Sequence, residues 1–276
     1  MNFTERVLAA ERRNDSLLCV GLDPEPSRFP GAWQGDARRL FDFCAAIVDA
    51  TKDLAIAFKP QIAYFGAHRG EDALERLVDH IRRVAPDVPV ILDAKRGDIG
   101  STAEQYAREA FERYRADAVT LSPFMGFDSI EPYLHYDGKG LILLCRTSNP
   151  GGSDLQAQRL EGGELVYERI ARLAAGPWNR TGQLGLVVGA TFPAEIERVR
   201  ELAPSLPLLI PGIGAQGGDA RATVRAGWRR QGERTVGPVI VNSSRAILYA
   251  SAGDDFAEAA RRAAMQARDA LNAARP

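Results

Sequence analysis

Asp93, Lys95 and Asp98 gather three ionisable side chains within six residues, inside the stretch from Val88 to Glu104. The chemistry open to such a set is proton transfer. A lysine kept cationic by flanking carboxylates can deliver a proton to a carbanion that forms beside it. An isolated Asp-x-Lys at a strand end is more often a solvated ion pair, so the surroundings decide. The apolar run Val90, Ile91, Leu92 predicts a buried strand. Side-chain alternation along that strand puts Asp93 and Lys95 on one wall and turns Ala94 away. Beyond it Gly97 and Gly100 loosen the chain, and Ser101 followed by Glu104 predicts a capping box that opens a helix. Asp98 and Thr102 then sit at or just before a helix start. Charges gathered between an apolar strand and a helix are where α/β proteins build sites.

The elements that must position these residues repeat along the chain. Apolar runs at 17–23, 54–59, 90–92, 116–122, 140–145, 184–189, 206–210 and 238–242 read as strands. Helical spacing over 3–13, 36–51, 71–84, 101–115, 161–174 and 254–273 fills much of the space between them, and an insertion is expected at 147–163. Eight strand-and-helix units with no linker or composition break predict a single domain over 1–276, folded as a parallel (β/α)₈ TIM barrel. An open doubly wound sheet is the alternative. It gathers ligands at one switch point, whereas the polar strand ends here are spread over six units and need a closed rim to meet.

On that rim Asp23, Lys59, Asp93 and Lys95 alternate acid and base, with Asp98 beyond them. Any one alone reads as a surface charge; together they read as a site. Gly212, Gly214, Gly217 and Gly218 follow the seventh strand, and Arg245 follows the eighth. A glycine-rich loop alone is a turn. Coupled to an arginine fork in the next unit, it fits the place where barrels cradle phosphate. Neither a Walker-type nor a dinucleotide fingerprint is present.

Composition excludes other classes. A net charge of −1 and a pI near 6.4 offer no electrostatic case for nucleic acid or an anionic membrane. The longest apolar runs are strand-sized, and the N-terminus has no apolar signal core. Cys19, Cys44 and Cys145 are odd in number and lie far in sequence from any histidine, so they read as buried reduced thiols in a cytoplasmic protein. No His/Cys spacing suggests a metal site.

The pattern Asp93-x-Lys95-x-x-Asp98-Ile99-x-x-Thr102 resembles orotidine 5'-phosphate decarboxylase. So do the stretches 58–65, 146–151, 211–218 and 243–245, in the expected order across essentially the whole chain, and the likeness is to the longer (type 2) branch. The resemblance implies decarboxylation of orotidine 5'-monophosphate to uridine 5'-monophosphate, the last step of de novo pyrimidine synthesis, without a cofactor or metal. It implies that Lys95 protonates C6 of the pyrimidine while Asp93 and Lys59 hold it in a charged network. Asp98, with Ile99 and Thr102, would come from the partner subunit of a homodimer with shared sites. Asp23 and Lys59 would bind ribose hydroxyls, Ser148 or its neighbour Thr147 the pyrimidine edge, and Gln216 and Arg245 the phosphate. The segment 150–183 is longer than in the compact branch, so its contacts do not carry over. The nearest rival is a metal-dependent sugar-phosphate decarboxylase or aldolase that shares Asp-x-Lys-x-x-Asp. That group binds its metal through an acid at the second strand's end, where this chain has Lys59. A non-catalytic phosphate-binding barrel is the rival of a different class.

Overall fold

The computed structural model describes residues 1–213, 219–228, 230–231 and 234–276. Every predicted apolar run forms a strand: β1 Leu18–Leu22, β2 Ala57–Pro60, β3 Ile91–Arg96, β4 Ala118–Leu121, β5 Gly140–Arg146, β6 Leu184–Val188, β7 Leu208–Pro211 and β8 Val239–Ser243. All are parallel, in the spatial order β2-β1-β8-β7-β6-β5-β4-β3. The isolated parallel bridges Phe58–Val90 and Gln61–Asp93 close the ring between β2 and β3. The principal helices are α1 Phe3–Asn14, α2 Leu40–Thr51, α3 Glu71–Val84, α4 Gly100–Arg108, α5 Val166–Ala175, α6 Pro193–Leu202, α7 Ala220–Gly227 and α8 Phe256–Ala273. The expected (β/α)₈ barrel is the fold.

Strand alternation divides the apolar residues into two cores. Leu18, Val20, Phe58, Leu92, Val119, Leu141, Leu143, Leu186, Leu208 and Val241 face outward and pack with the helices. Cys19, Ala57, Ile91, Ala118, Ile142, Val187, Leu209 and Ile240, one from each strand, fill the barrel itself. Phe3, Val7 and Ala10 of α1 join this inner core, and Phe3 donates its N–H to the Gly138 carbonyl just before β5 (2.9 Å). With α1 packed into that end of the barrel, the carboxyl ends of the strands are left as the place for a site. Lys59, Asp93, Thr120, Leu144, Pro211 and Asn242 stand two residues further along their strands than inner-core residues, so the same alternation aims them into that opening.

Several expectations need correcting. Ser101 does not cap a helix. The helix starts at Gly100 (φ 55°), with Ile99 at the cap position and no side-chain cap bond. Glycine can take that left-handed turn, which pulls the helix start one residue ahead of Ser101. The Asp98 carboxylate instead accepts the Ile99 N–H at 2.8 Å. The segment predicted as helix over 101–115 changes to a π-turn at Glu109–Arg113. The one predicted over 161–174 begins only at Val166, because 150–165 is spent on a 3₁₀ turn (Pro150–Asp154) and an Arg159–Leu165 bridge. A short antiparallel pair, Arg230–Gln231 with Arg234–Thr235, has no counterpart in the sequence reading. Cys19, Cys44 and Cys145 are buried and unpaired as expected, and burial pushes the Cys19 thiol up to about 12. Among the described residues no helix is long and apolar enough to cross a membrane.

Candidate active site

The carboxyl ends of the strands surround a cavity of about 580 Å³, a size suited to a small organic ligand. Its centre is the Asp93 carboxylate. Oδ2 takes a hydrogen bond from Lys59 Nζ at 2.6 Å, and Oδ1 takes one from Lys95 Nζ at 2.5 Å. The Thr120 hydroxyl donates to Oδ1 as well, at 2.9 Å. Burial opposes ionisation of Asp93, but Lys59 and then Lys95 outweigh it and hold the carboxyl below the usual range. Burial likewise opposes the charge on Lys59, yet Asp93 and Asp23 outweigh it and hold the ammonium above the ordinary lysine range. The two lysines differ in access: the Lys59 side chain is 5% exposed and that of Lys95 is 45% exposed. One is a fixed internal cation. The other is an ammonium with an open face.

Asp93 and Lys95 share a wall as predicted, but not on a regular strand. The pairing of β3 with β4 shifts register between Leu92 and Arg96, and Lys95 lies at φ 48°. A left-handed lysine costs on the order of 1–3 kcal/mol and persists only where neighbours hold it. Here the Thr120 hydroxyl accepts the N–H groups of both Ala94 and Lys95, each at 3.0 Å.

Asp23, just past β1, accepts from the Ser244 hydroxyl through Oδ2 at 2.6 Å. Its Oδ1 and the Oδ1 of Asn242 are buried acceptors without a hydrogen-bond partner, and both residues line the cavity. Such atoms suit the hydroxyl or N–H donors of a ligand. Arg245, exposed at the start of a short helix (Arg245–Leu248), reaches the same cavity, next to Gly212 and Ile213. The opposite wall is apolar, with Leu144, Val187, Leu209 and Pro211.

A strap over 147–156 covers one side. Thr147 takes the Gln156 side-chain oxygen on its N–H (2.8 Å), and Gln156 Nε2 donates to the Thr147 hydroxyl (2.9 Å). Arg146 anchors the strap's base through Glu195 (2.6 Å) and Ser153 (3.0 Å). Gly189 permits the close approach of Ser148, since a Cβ there would lie 2.7 Å from the Ser148 backbone.

The cavity thus brings together Asp23, Lys59, Asp93, Lys95, Ser148 and Arg245 of the predicted set, and both Thr147 and Ser148 line it. Asp98 and Thr102 are not on the lining of their own chain's cavity. Gln216, with Gly214, Gly217 and Gly218, lies outside the described residues. The sequence reading missed Gln61, Tyr64, Thr120, Asn149, Gln156, Asn242 and Ser244 as lining residues. Thr120 was findable as the polar residue two positions past the inward-facing Ala118. Gln156 was not, because its place depends on how the strap folds back.

Residues 16–263 match the model of the orotidine 5'-phosphate decarboxylase / HUMPS family. The orotidine 5'-phosphate decarboxylase of Methylibium petroleiphilum is 74% identical, with the alignment covering 100% of both chains. That of Polaromonas naphthalenivorans is also 74% identical, over 100% of this chain and 97% of the other. Among solved structures, Leishmania donovani OMP decarboxylase aligns with a TM-score of 0.84 at 38% identity, over 99% of this chain and 98% of that one. The chain belongs to the orotidine 5'-phosphate decarboxylase / HUMPS family, in its longer branch.

Proposed function

We infer that this family member is an orotidine 5'-phosphate decarboxylase, converting orotidine 5'-monophosphate to uridine 5'-monophosphate and CO₂ in pyrimidine biosynthesis. The observation that carries the reading is the Asp93 carboxylate held between a buried Lys59 and a half-exposed Lys95 at the cavity floor. As the bond from C6 to the carboxylate breaks, its electron pair stays on C6. Lys95 gives C6 a proton and regains one from solvent through its exposed face. The fixed ammonium of Lys59 and the Asp93 carboxylate keep the donor cationic and aimed, so its charge is in place before the carbanion develops.

Asp23, with an unsatisfied buried oxygen, and Lys59 beside it bind the ribose hydroxyls. Arg245 and Gln216 take the phosphate. Ser148 or Thr147, on the strap, reads the pyrimidine edge. The active unit is a homodimer of single-domain chains (1–276) in the cytoplasm, and Asp98 and Thr102 complete the partner's site. Two observations favour this. Neither residue lines its own cavity, and Ile99, Phe124 and Met125 form exposed apolar surface nearby, at 46%, 77% and 48%. Their loops are joined, since Ser122 donates its N–H to the Arg96 carbonyl at 2.7 Å.

Loss of the orotate absorbance on incubation with orotidine 5'-monophosphate tests the activity. Turnover is expected with EDTA present, because Lys59 stands where the metal-dependent relatives need an acid; rescue only by magnesium would favour them instead. Mixing inactive Lys95→Ala and Asp98→Ala proteins under verified subunit exchange should restore about a quarter of wild-type activity, since about half the dimers are mixed and each has one intact site. No recovery would confine Asp98 to its own chain.

A further inference from the structure

Between Leu92 and Arg96 the β3 side of the ladder holds Asp93, Ala94 and Lys95, whereas between the paired Val119 and Leu121 the β4 side holds only Thr120. Three residues facing one is a bulge, and a bulge leaves backbone donors off the ladder. Thr120 takes up the strain with one oxygen. Its hydroxyl accepts from the N–H of Ala94 and of Lys95, at 3.0 Å each, and donates its proton to Asp93 Oδ1 at 2.9 Å. A hydroxyl has two lone pairs and one proton, so all its capacity is used. Thr120 is 1% exposed, so these bonds are nearly sealed from solvent.

The consequence reaches the reacting end of Lys95. Oδ1 of Asp93 is also the oxygen that holds Lys95 Nζ, at 2.5 Å. One hydroxyl therefore grips this lysine at both ends: its backbone, kept at φ 48°, and the carboxylate that aims its ammonium. We propose that Thr120 is a positioning residue for decarboxylation, its hydroxyl fixing the β3 bulge and the Asp93 carboxylate so that Lys95 points at the substrate carbon. This rests on reading Lys95 as the proton donor. The γ-methyl has no part in it; the hydroxyl carries the function.

The test compares Thr120→Val, which keeps the shape and removes the hydroxyl, with Thr120→Ser, which keeps the hydroxyl. Misaiming a reacting group by about an ångström costs on the order of 100-fold. For Thr120→Val, kcat is expected to fall roughly 10- to 100-fold, while affinity for uridine 5'-monophosphate, measured by calorimetry, stays within about threefold. Thr120→Ser is expected to keep kcat within about threefold of wild type. The proposal is overturned if Thr120→Val retains wild-type kcat, if Thr120→Ser is as slow as Thr120→Val, or if product affinity falls as far as kcat. Should Thr120→Val not fold, Thr120→Ala replaces it, and equal rates for Ala and Ser overturn the idea. Lys95→Ala is assayed alongside. An inactive Lys95→Ala with a fully active Thr120→Val removes Thr120 alone; a fully active Lys95→Ala removes the proton-donor reading beneath it.

Discussion

The two halves of the barrel mouth are built on opposite principles. From β8 round through β1 to β4 the inward positions are Asn242, Lys59, Asp93, Lys95 and Thr120, with Asp23 and Arg245 at the edge. From β5 to β7 they are Leu144, Val187, Leu209 and Pro211. The first half tolerates buried charge because each charge has a close partner: Asp93 has two lysines and a hydroxyl, and Lys59 has Asp93 at 2.6 Å. The second half puts no charged side chain on the cavity lining, and its polar groups, Thr147, Ser148, Asn149 and Gln156, come from the strap. Charge is thus concentrated on one side of the barrel mouth and absent from the lining of the other.

The comparison can be tested from both sides. The largest effect is expected from Lys95→Ala, which removes the accessible charge of the ionic half. kcat should fall on the order of 10²–10⁴-fold, while stability changes by only about 0–1 kcal/mol, because the side chain is half-exposed. Steady-state kinetics with urea unfolding separates the two, and activity within about threefold of wild type would remove Lys95 from the chemistry.

Lys59→Met should do the opposite in stability. It leaves the buried Asp93 without its internal cation, and breaking a buried pair costs roughly 3–5 kcal/mol. A loss below about 1 kcal/mol in urea unfolding would mean that Lys95 and Thr120 suffice to hold the carboxylate.

Val187→Thr breaks the rule of the apolar half by adding a hydroxyl to a residue 5% exposed. Stability should drop by about 1–3 kcal/mol from the unsatisfied group, with kcat lowered far less than by Lys95→Ala. A kcat loss as large as that of Lys95→Ala would show the two halves to be equally demanding.

The smallest effect is expected from pH. Asp93 is depressed in the folded chain, so its contribution is complete above the unfolded value of about 4 and is lost only as pH falls through the still lower folded value. Lys59 is raised, so its contribution is complete below the unfolded value of about 10.4 and is lost only as pH rises through the higher folded value. The carbon NMR shift of the wild-type Asp93 carboxyl should therefore be flat from about pH 5.5 to 8.5. A slope in that window would mean that one member of the pair titrates there.

Much of this was legible in the chain. The strands were readable because a buried parallel strand must be a short apolar run, and Glu71–Val84 was readable because one helix face repeats Leu74, Leu77, Val78 and Ile81. Asp23, Lys59, Asp93, Lys95 and Arg245 were readable because each ends or follows a strand, and barrel closure brings strand ends to one rim. The capping box at Ser101 failed because a glycine at φ 55° allows an earlier helix start, and backbone sign is not encoded by residue type alone. Gln156 was missed because a strap's path is set by its anchors, Arg146 on Glu195 and Ser153, which lie on separate elements.

Residue order by itself determined the alternation that sends Lys59 and Asp93 inward and Phe58 and Leu92 outward, since that is a local property with a period of two. Only the tertiary structure decided that Lys95 leaves that period, because its left-handed turn is held by a hydroxyl 25 residues away on the next strand. It also decided which lysine is sealed and which is open. Lys59 and Lys95 look alike in the chain. They differ because one sits inside the ring and the other at its lip, and burial is a property of how the strands close.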